Sequence, residues 1–266
     1  MVLASHAPSA SLAADPADVL RLASTTSTRD SGLFEAILPS FREATGIRVE
    51  VVAVGTGRAL DLGRRGDADA VLVHAPAAEL AFIEEGAGID RRPVMYNRFL
   101  LVGPAADPAE VRSTAEPGAA LRAIAADEAP FASRGDDSGT HKRERDLWKN
   151  AGVEPVGPWY RETGSGMGAT LNTAAELPAY TLVDSGTWLA FSNRRELEAV
   201  LDGPEALHNP YAVIRVNPAR HPHVAAKAAL AFSDWLLSEN GRAAISAHRV
   251  GGEQLFFPLP EEALVP

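Results

Sequence analysis

The sequence contains no cysteine, which excludes disulfide bonds, thiolate zinc sites and cysteine nucleophiles. It also contains no run of 18 apolar residues, the length that a membrane-spanning helix needs. Basic residues are in deficit, because 25 Lys and Arg stand against 35 Asp and Glu and give a formal net charge of −10. Nucleic acids and anionic membrane surfaces attract basic proteins, so this balance argues against both as partners.

The remaining composition is that of a globular protein. Of the 266 residues, 46% are hydrophobic and 23% are charged, which suits one large or two medium domains. The first 18 residues are rich in Ala, Ser and Pro and lack the basic start and apolar core of a secretion signal. We expect residues 1–18 to form a flexible N-terminal segment.

From Val19 onward, apolar strands alternate with helical segments, as in an α/β protein. The strands are predicted in VLRLAS, IRVEVVAV and DADAVLVHA, and the intervening helix carries an apolar stripe of Leu33, Phe34, Ile37, Leu38 and Phe41. Pro39 lies within that stripe and is expected to kink or shorten the helix. The order strand, turn, helix, strand predicts a parallel sheet, whose ligands bind beyond the carboxyl ends of the strands.

The same pattern predicts two α/β lobes, one inserted into the other. YNRFLLVGP can carry the chain out of the first lobe, and YAVIRV, after Asn209-Pro210, can bring it back. We therefore expect lobe I to comprise residues 19–97 and 211–266 and lobe II to comprise residues 103–205. A helical segment is predicted from Val224 to about His248. Clefts between such lobes are favoured places for small ligands.

A stretch from Ser133 to His141, SRGDDSGTH, carries the clearest chemical signal. It places the permanent cation of Arg134 beside Ser138, Gly139 and Thr140, which open a predicted helix. A helix start presents unpaired N–H groups and a partial positive charge, so it can hold an anion. The hydroxyls and the planar guanidinium add further donors. The stretch predicts a site for a small oxyanion, although a Ser before a helix is often only an N-cap.

Other turns have the same architecture. Thr25-Thr26-Ser27-Thr28 and Gly55-Thr56-Gly57 each follow a predicted strand and precede a helix, and Gly164-Ser165-Gly166-Met167-Gly168 precedes another helix. Each turn alone is a weak signal, since Gly-rich turns are common. Together they predict a pocket of hydroxyl and N–H donors at one edge of a sheet.

Competing motifs are absent or incomplete. No Gly-Lys pair forms a phosphate-binding loop, and Ser138 and Ser165 lack the flanking residues of a hydrolase nucleophile elbow. His221-Pro222-His223 could contact a metal ion but has no further ligand nearby, and we expect a surface loop there. An enzyme acting on a small phosphorylated metabolite stays open as the alternative, with His74 or Asp136 as a base.

The segments that carry these turns resemble the tungstate-binding proteins, which are the receptors of tungstate ABC transporters. The resemblance covers nearly the whole chain after Leu20 and lies in LASTTSTRDSGL, AVGTGRAL, GDADAVLVHAP, VMYNRFLLVGP, SRGDDSGTHKRE, WYRETGSGMGATL and AYTLVDSGTWLA. It implies a type II periplasmic binding protein fold with a hinge and an interlobe ligand cleft. It also implies a non-enzymatic protein without cofactors, a monomer that captures tungstate, or the related molybdate, and delivers it to a membrane permease. The implied location is periplasmic or extracytoplasmic, with a free or lipid-anchored native form.

The resemblance also implies which residues contact the oxyanion: Thr26, Ser27, Thr56, Arg134, Ser138, Gly139 and Thr140. His74 is added by comparison with phosphate-binding proteins, which are similar but place an aspartate just before Ala-Pro to accept a proton from phosphate. An imidazole there can donate to an oxyanion that carries no proton, whereas the alternative is a buried histidine satisfied by the backbone. Ser185 stands where many members of the family carry an arginine.

Overall fold

The computed structural model describes residues 19–259. The predicted flexible segment 1–18 and the last residues of predicted lobe I, 260–266, lie outside this range. Within it the chain is a mixed α/β protein, as the sequence predicts. None of the helices in the described range is both long and apolar enough to cross a membrane.

Twelve strands and ten helices make up the described chain. The strands are β1 (Val19–Thr25), β2 (Arg48–Val54), β3 (Ala70–Val73), β4 (Gly88–Pro104), β5 (Phe131–Ser133), β6 (Tyr160–Glu162), β7 (Thr181–Asp184), β8 (Leu197–Leu201), β9 (His208–Val216), β10 (Arg249–Val250), β11 (Glu253–Gln254) and β12 (Phe257–Pro258). The helices are α1 (Thr26–Asp30), α2 (Leu33–Thr45), α3 (Thr56–Arg65), α4 (Pro76–Glu84), α5 (Pro117–Ala126), α6 (Gly139–Asn150), α7 (Met167–Glu176), α8 (Ser185–Ala190), α9 (Ala226–Leu237) and α10 (Glu239–Ala247). Short 3₁₀ turns span Val111–Ser113 and Glu205–Leu207.

The main sheet has the order β12-β4-β9-β3-β1-β2. β1 runs parallel to β2 and β3, and β9 is antiparallel to β3 and to β4. In this register Thr25 pairs with Val54, and Ser24 pairs with Leu72. The three parallel strands therefore end in one row, so the turns that follow them share one edge of the sheet.

β4 is a 17-residue strand that belongs to both halves of the molecule. Its first part pairs with β9, and its last part, from Phe99 to Pro104, pairs with β7 and β8. β9 returns the chain beside it, and Asn97 lies directly opposite Asn209. The two strands therefore form the connection between the main sheet and the strands of the inserted segment.

Hydrophobic clusters pack on both faces of the sheet and in the inserted segment. One cluster surrounds Phe41 and Phe232, whose rings meet edge to face with centroids 5.1 Å apart, and another surrounds Phe82. In the inserted segment Trp148 and Phe131 pack edge to face at 5.2 Å. These clusters agree with a two-lobed architecture, while the predicted lobe boundaries stay a prediction.

Helices differ from the sequence expectation at two places. α2 is not shortened at Pro39 but runs for 13 residues, because the burial of Leu33, Ile37 and Phe41 offsets the hydrogen bond that proline cannot make, while the kink stays a prediction. The helical segment predicted from Val224 to His248 is two helices. Ser238 separates them, and its hydroxyl accepts a hydrogen bond from the N–H of Gly241 as the N-cap of α10.

Gly241 lies where α10 touches the end of α9, and a methyl group has no room there. A Cβ built on Gly241 would lie 2.0 Å from the carbonyl oxygen of Trp235. We expect Gly241→Ala to lower the free energy of unfolding by about 1–3 kcal/mol, as measured by urea denaturation. The control is Gly118→Ala in α5, where the nearest atom would be 3.5 Å away, and stability should hold or rise by up to about 1 kcal/mol. Equal stability of both variants would show that the α9–α10 junction is looser than described.

Candidate anion-binding site

The first group of predicted site residues lies at the edge where β1, β2 and β3 end. Thr26 and Ser27 are exposed and form the first turn of α1, directly after β1. Thr56 is partly exposed and opens α3 after Gly55. Since the first N–H groups of a helix have no partner within it, this edge presents backbone donors beside the hydroxyls.

Thr25, the last residue of β1, organises the hydroxyls of this edge. Its Oγ1 accepts a hydrogen bond from the N–H of Thr28 at 3.2 Å as the N-cap of α1. The same oxygen lies 2.6 Å from the hydroxyl of Thr28 and 3.0 Å from that of Ser27. Thr25 is 4% exposed, so its hydroxyl is buried and fixes the positions of Ser27 and Thr28 through these contacts. It was not among the predicted site residues, although its position at the strand end is the signal that could have found it.

His74 follows β3 and completes this first group. Its Nε2 lies 3.4 Å from Thr25 Oγ1, and its Nδ1 lies 3.2 Å from Asn209 Oδ1. Its ring stacks on Tyr211 with centroids 4.6 Å apart. Burial lowers the pKa of His74, and the hydrogen bond to Asn209 and the negative charge of Asp184 only partly oppose it. The imidazole is therefore neutral at pH 7.

The contacts of the neutral ring decide what His74 can donate. The amide oxygen of Asn209 accepts, so the proton must be on Nδ1. Nε2 then carries a lone pair and accepts from the hydroxyl of Thr25. This arrangement makes His74 a residue that orients Thr25, whereas direct donation to an oxyanion would require a proton on Nε2.

A polar network connects His74 to the hinge strands. The amide nitrogen of Asn209 donates to Asn97 Oδ1 at 2.7 Å, across the β4–β9 pair. Burial raises the pKa of Tyr211, whose hydroxyl also contacts Thr28 and both asparagines. Asn97 and Tyr211 were not among the predicted site residues, because each stands among other polar residues of its strand and no motif distinguishes it.

The second group of predicted site residues lies in the loop from β5 to α6. One guanidinium nitrogen of Arg134 lies 2.5 Å from Asp136 Oδ2, and the other Asp136 oxygen accepts from the N–H of Ser138 at 3.2 Å. Burial opposes ionisation of Asp136, but the hydrogen bonds from Ser138 and Arg134 outweigh it and place its pKa below the ordinary value. The ion pair fixes the guanidinium, while the Nε of Arg134 is buried without a partner in the range 19–259.

The loop is tight because its backbone turns through a left-handed conformation. Gly135 has φ of 61°, and a Cβ there would lie 2.6 Å from the Cβ of Glu162. Ser138 caps α6 through its hydroxyl, which accepts from the N–H of His141 at 3.3 Å. Gly139 is exposed and Thr140 is buried at the first turn. The predicted donors therefore open this helix, as the sequence indicates.

The turn from Gly164 to Gly168 contacts the Arg134 loop. The carbonyl oxygen of Arg134 accepts hydrogen bonds from Ser165 N at 3.2 Å and from the Thr163 hydroxyl at 3.4 Å. β5 and β6 are parallel, and Ser133 pairs with Glu162. The two loops therefore leave the same edge of this small sheet, and one braces the other.

A second carboxylate, that of Asp184, acts on the first-lobe residues from the end of β7. Its charge partly opposes the lowering of the His74 pKa by burial, and it adds to the raising of the Tyr211 pKa by burial. Both of its oxygens are engaged, because Oδ1 accepts from the N–H of Thr187 at 2.9 Å and Oδ2 accepts from the Thr187 hydroxyl at 2.6 Å. Asp184 is the N-cap of α8. The neighbouring Ser185 is buried, and its hydroxyl lies 3.4 Å from the N–H of Arg98 on β4.

Each group of predicted residues is therefore assembled at a strand edge. Thr26, Ser27, Thr56 and His74 share one edge, and Arg134, Ser138, Gly139 and Thr140 share the other. Simultaneous contact of both groups with one anion stays a prediction. A surface cavity of about 840 Å³ between α2 and β2 contains none of these residues.

The His221–His223 pair is a structural feature. His221 donates to the carbonyl oxygen of Arg64 and His223 to that of Gly66, both at 2.9 Å. Within residues 19–259 no group of three His, Asp or Glu side chains is arranged to hold a metal ion. The pair therefore caps the end of α3.

Comparison with known proteins gives consistent matches along the chain. A family model described as the PBP superfamily domain matches residues 10–240. The tungstate-binding protein TupA of Peptoclostridium acidaminophilum is 45% identical over 240 residues, which cover 90% of this chain and 83% of that protein. The solved structure of the tungstate-binding protein TupA from Desulfovibrio alaskensis G20 has 44% identity and a TM-score of 0.87, covering 91% of this chain and 99% of that one. A structure titled as the tungstate ABC transporter from Geobacter sulfurreducens has 45% identity and a TM-score of 0.75, covering 86% and 98%.

The tautomer of His74 is open to direct measurement. We expect its Nδ1 to be protonated and its Nε2 to be bare at pH 7, because Asn209 accepts from the former and burial disfavours the cation. Nitrogen chemical shifts of ¹⁵N-labelled imidazole report both nitrogens. The ring should gain its second proton only below its ordinary pKa of about 6.5. A doubly protonated ring at pH 7, or a proton on Nε2, would contradict the orienting role, and Asn209→Asp should raise the pKa by adding a negative charge.

Proposed function

This chain belongs to the tungstate-binding proteins of the PBP superfamily, and from that premise we propose that it captures tungstate and delivers it to the permease of an ABC transporter. The observation that carries the proposal is the loop in which Arg134, fixed by Asp136, lies beside the hydroxyl and N–H donors that open α6. Solute-binding relatives of ABC transporters act at the outer side of the membrane, so the proposed location is periplasmic or extracytoplasmic. We propose a monomer as the working form.

Tungstate is a tetrahedral dianion without a proton at neutral pH, and it needs donors on all sides. The second lobe offers Arg134, Ser138 and the N–H groups of Gly139 and Thr140, and the first lobe offers Thr26, Ser27 and Thr56. Dispersing the two negative charges over one cation and many neutral dipoles avoids burying a large unbalanced charge. Because the protein itself is strongly acidic, these local donors must outweigh a repulsive overall field.

Closure of the two lobes is the proposed mechanism of capture. A ligand shifts such an equilibrium only through its higher affinity for the closed state. An anion that touches donors from both lobes gains contacts on closure, whereas in the open state it reaches only one group. The β4 and β9 strands are the connection about which the lobes turn, and Asn97, Asn209 and His74 link that connection to Thr25.

The same contacts favour an unprotonated oxyanion over hydrogen phosphate. A protonated oxyanion needs an acceptor, but both oxygens of Asp136 and both of Asp184 already accept hydrogen bonds. The one lone pair of His74 accepts from Thr25. We therefore propose tungstate and molybdate as ligands ahead of phosphate. The preference between these two oxyanions rests on small differences in cavity geometry.

The enzyme alternative lacks support in this geometry. A phosphoester hydrolase would need a nucleophile and a base within hydrogen-bond reach of each other. His74 is held between Asn209 and Thr25, and Asp136 is held by Arg134 and Ser138. The curated relatives are named as binding proteins. We propose that the chain binds its ligand without converting it.

Arg134→Ala tests the proposal. Charge-assisted hydrogen bonds contribute about 1.5–3 kcal/mol each, so the variant should bind tungstate on the order of 10- to 100-fold more weakly by titration calorimetry. The control is Arg161→Ala on β6, whose side chain is exposed and bonds the carbonyl oxygen of Pro158, and its affinity should be unchanged.

The same titration with molybdate, sulfate and phosphate separates the candidate functions. We expect tight binding of tungstate, binding of molybdate, and far weaker binding of phosphate. Turnover of a phosphoester without tight oxyanion binding would overturn the proposal, and equal affinity of Arg134→Ala and the wild type would remove Arg134 from the site.

A further inference from the structure

Glu144 is a buried carboxyl group that the proposed site does not use. It lies on α6, is 2% exposed, and forms no salt bridge with any residue in the range 19–259. Its Oε1 accepts hydrogen bonds from the hydroxyl of Tyr160 at 2.8 Å and from the indole nitrogen of Trp148 at 3.3 Å. A charge buried with neutral partners alone is costly, so such a group holds its proton to unusually high pH.

The position of Glu144 relates it directly to the donor loop. Thr140 and Glu144 are four residues apart on α6, so they share one face about one helical turn, or roughly 6 Å, apart. Ser133, whose hydroxyl is adjacent to the Glu144 carboxyl, immediately precedes Arg134 in the chain. A negative charge on Glu144 therefore lies directly behind the helix start that is proposed to hold a dianion.

We propose that Glu144 takes up a proton when the oxyanion binds at the start of α6, so that capture is coupled to protonation. The inference rests on the proposed function. Two negative charges brought to the helix start repel an ionised Glu144 through a buried, weakly screened path. Protonation removes the repulsion, and the neutral carboxyl keeps its hydrogen bonds from Tyr160 and Trp148.

The pH range of the coupling follows from the environment of Glu144. Burial raises its pKa to about 7, against the hydrogen bonds from Tyr160 and Trp148, and the charge of Glu162 raises it further. A bound dianion must raise it again. Well below pH 7 the group is protonated in both states and the affinity is constant. As the pH rises above 7, binding requires proton uptake, and affinity falls by up to tenfold per pH unit until the pH passes the pKa of the bound form.

Other titratable groups around Glu144 are constrained by their contacts. Tyr160 on β6 has a pKa raised by burial and by Glu144, so it stays a donor throughout this range. His141 on α6 accepts the N–H of Asp137 on its Nδ1 at 3.0 Å. Glu162 is 59% exposed in its side chain and lies 3.7 Å from the other nitrogen of His141. Glu144 is thus the buried carboxyl group of this cluster, whereas the carboxylate of Glu162 is largely exposed.

Calorimetric titration with tungstate in two buffers of different ionisation enthalpy, Hepes and Tris at pH 7.5, counts the protons taken up. We expect more than about half a proton per tungstate for the wild type and none for Glu144→Gln, whose amide keeps an acceptor for Tyr160 and Trp148. Affinity measured from about pH 6 to about pH 9 should fall for the wild type and stay flat for the variant. The control, Glu162→Gln, should still lose affinity for tungstate as the pH rises, but the loss should begin at lower pH. Removal of a like charge lowers the pKa of Glu144.

Tyr160→Phe provides a second test that does not depend on the folding of Glu144→Gln. Loss of the hydroxyl removes a hydrogen bond that favours ionised Glu144, so the fall in affinity should move to higher pH. An affinity that is independent of pH in the wild type, or a fall that survives unchanged in Glu144→Gln, overturns the coupling while leaving tungstate capture intact. Absence of tungstate binding at every pH overturns the proposed function itself.

Discussion

β4 carries the chain from one lobe to the other, and β9 carries it back. The arrangement of the candidate site depends on the pairing of these two strands. β4 gives its first part to the main sheet and its last part to the strands of the inserted segment. At the crossing, Asn97 and Asn209 form a buried side-chain hydrogen bond, and Asn209 continues to His74. The position of the hinge is therefore linked by direct contacts to the hydroxyl of Thr25 and to the first donor turn.

The hydrogen-bond donors of the candidate site act against the negative net charge of the protein. The chain has a net charge of −10, so nothing in its overall field attracts an anion. Both nearby carboxylates, Asp136 and Asp184, are occupied by donors from their own loops. The first carboxylate thereby positions a cation, and the second caps a helix.

The sequence predicted the fold class and the position of the donor turns because both are local properties. Strand ends, glycines and capping residues such as Ser138 lie within a few residues of one another, and their physics can be stated from that neighbourhood alone. The hinge network could not be predicted in this way. Asn97 and Asn209 are 112 residues apart, and each stands among other polar residues of its strand, so its sequence neighbourhood does not show that it is buried.

Glu144 illustrates the same limit within one helix. In HKRERDLWKN it stands among charged residues of an apparently solvated helix, and only the packing of Tyr160 and Trp148 around it shows that it is buried. Pro39 is the opposite case, since the local rule predicted a disturbed helix while tertiary burial kept α2 continuous. In both cases contacts between distant segments outweigh the local preference.

His221 and His223 connect the helix of one candidate site residue to the chain that follows β9. His221 and His223, which follow β9, hold the last carbonyls of the helix whose opposite end carries Thr56. Two side-chain hydrogen bonds therefore join the end of α3 to the segment that leaves β9. Thr56 thus begins a helix whose far end is held by the chain that leaves a strand of the main sheet.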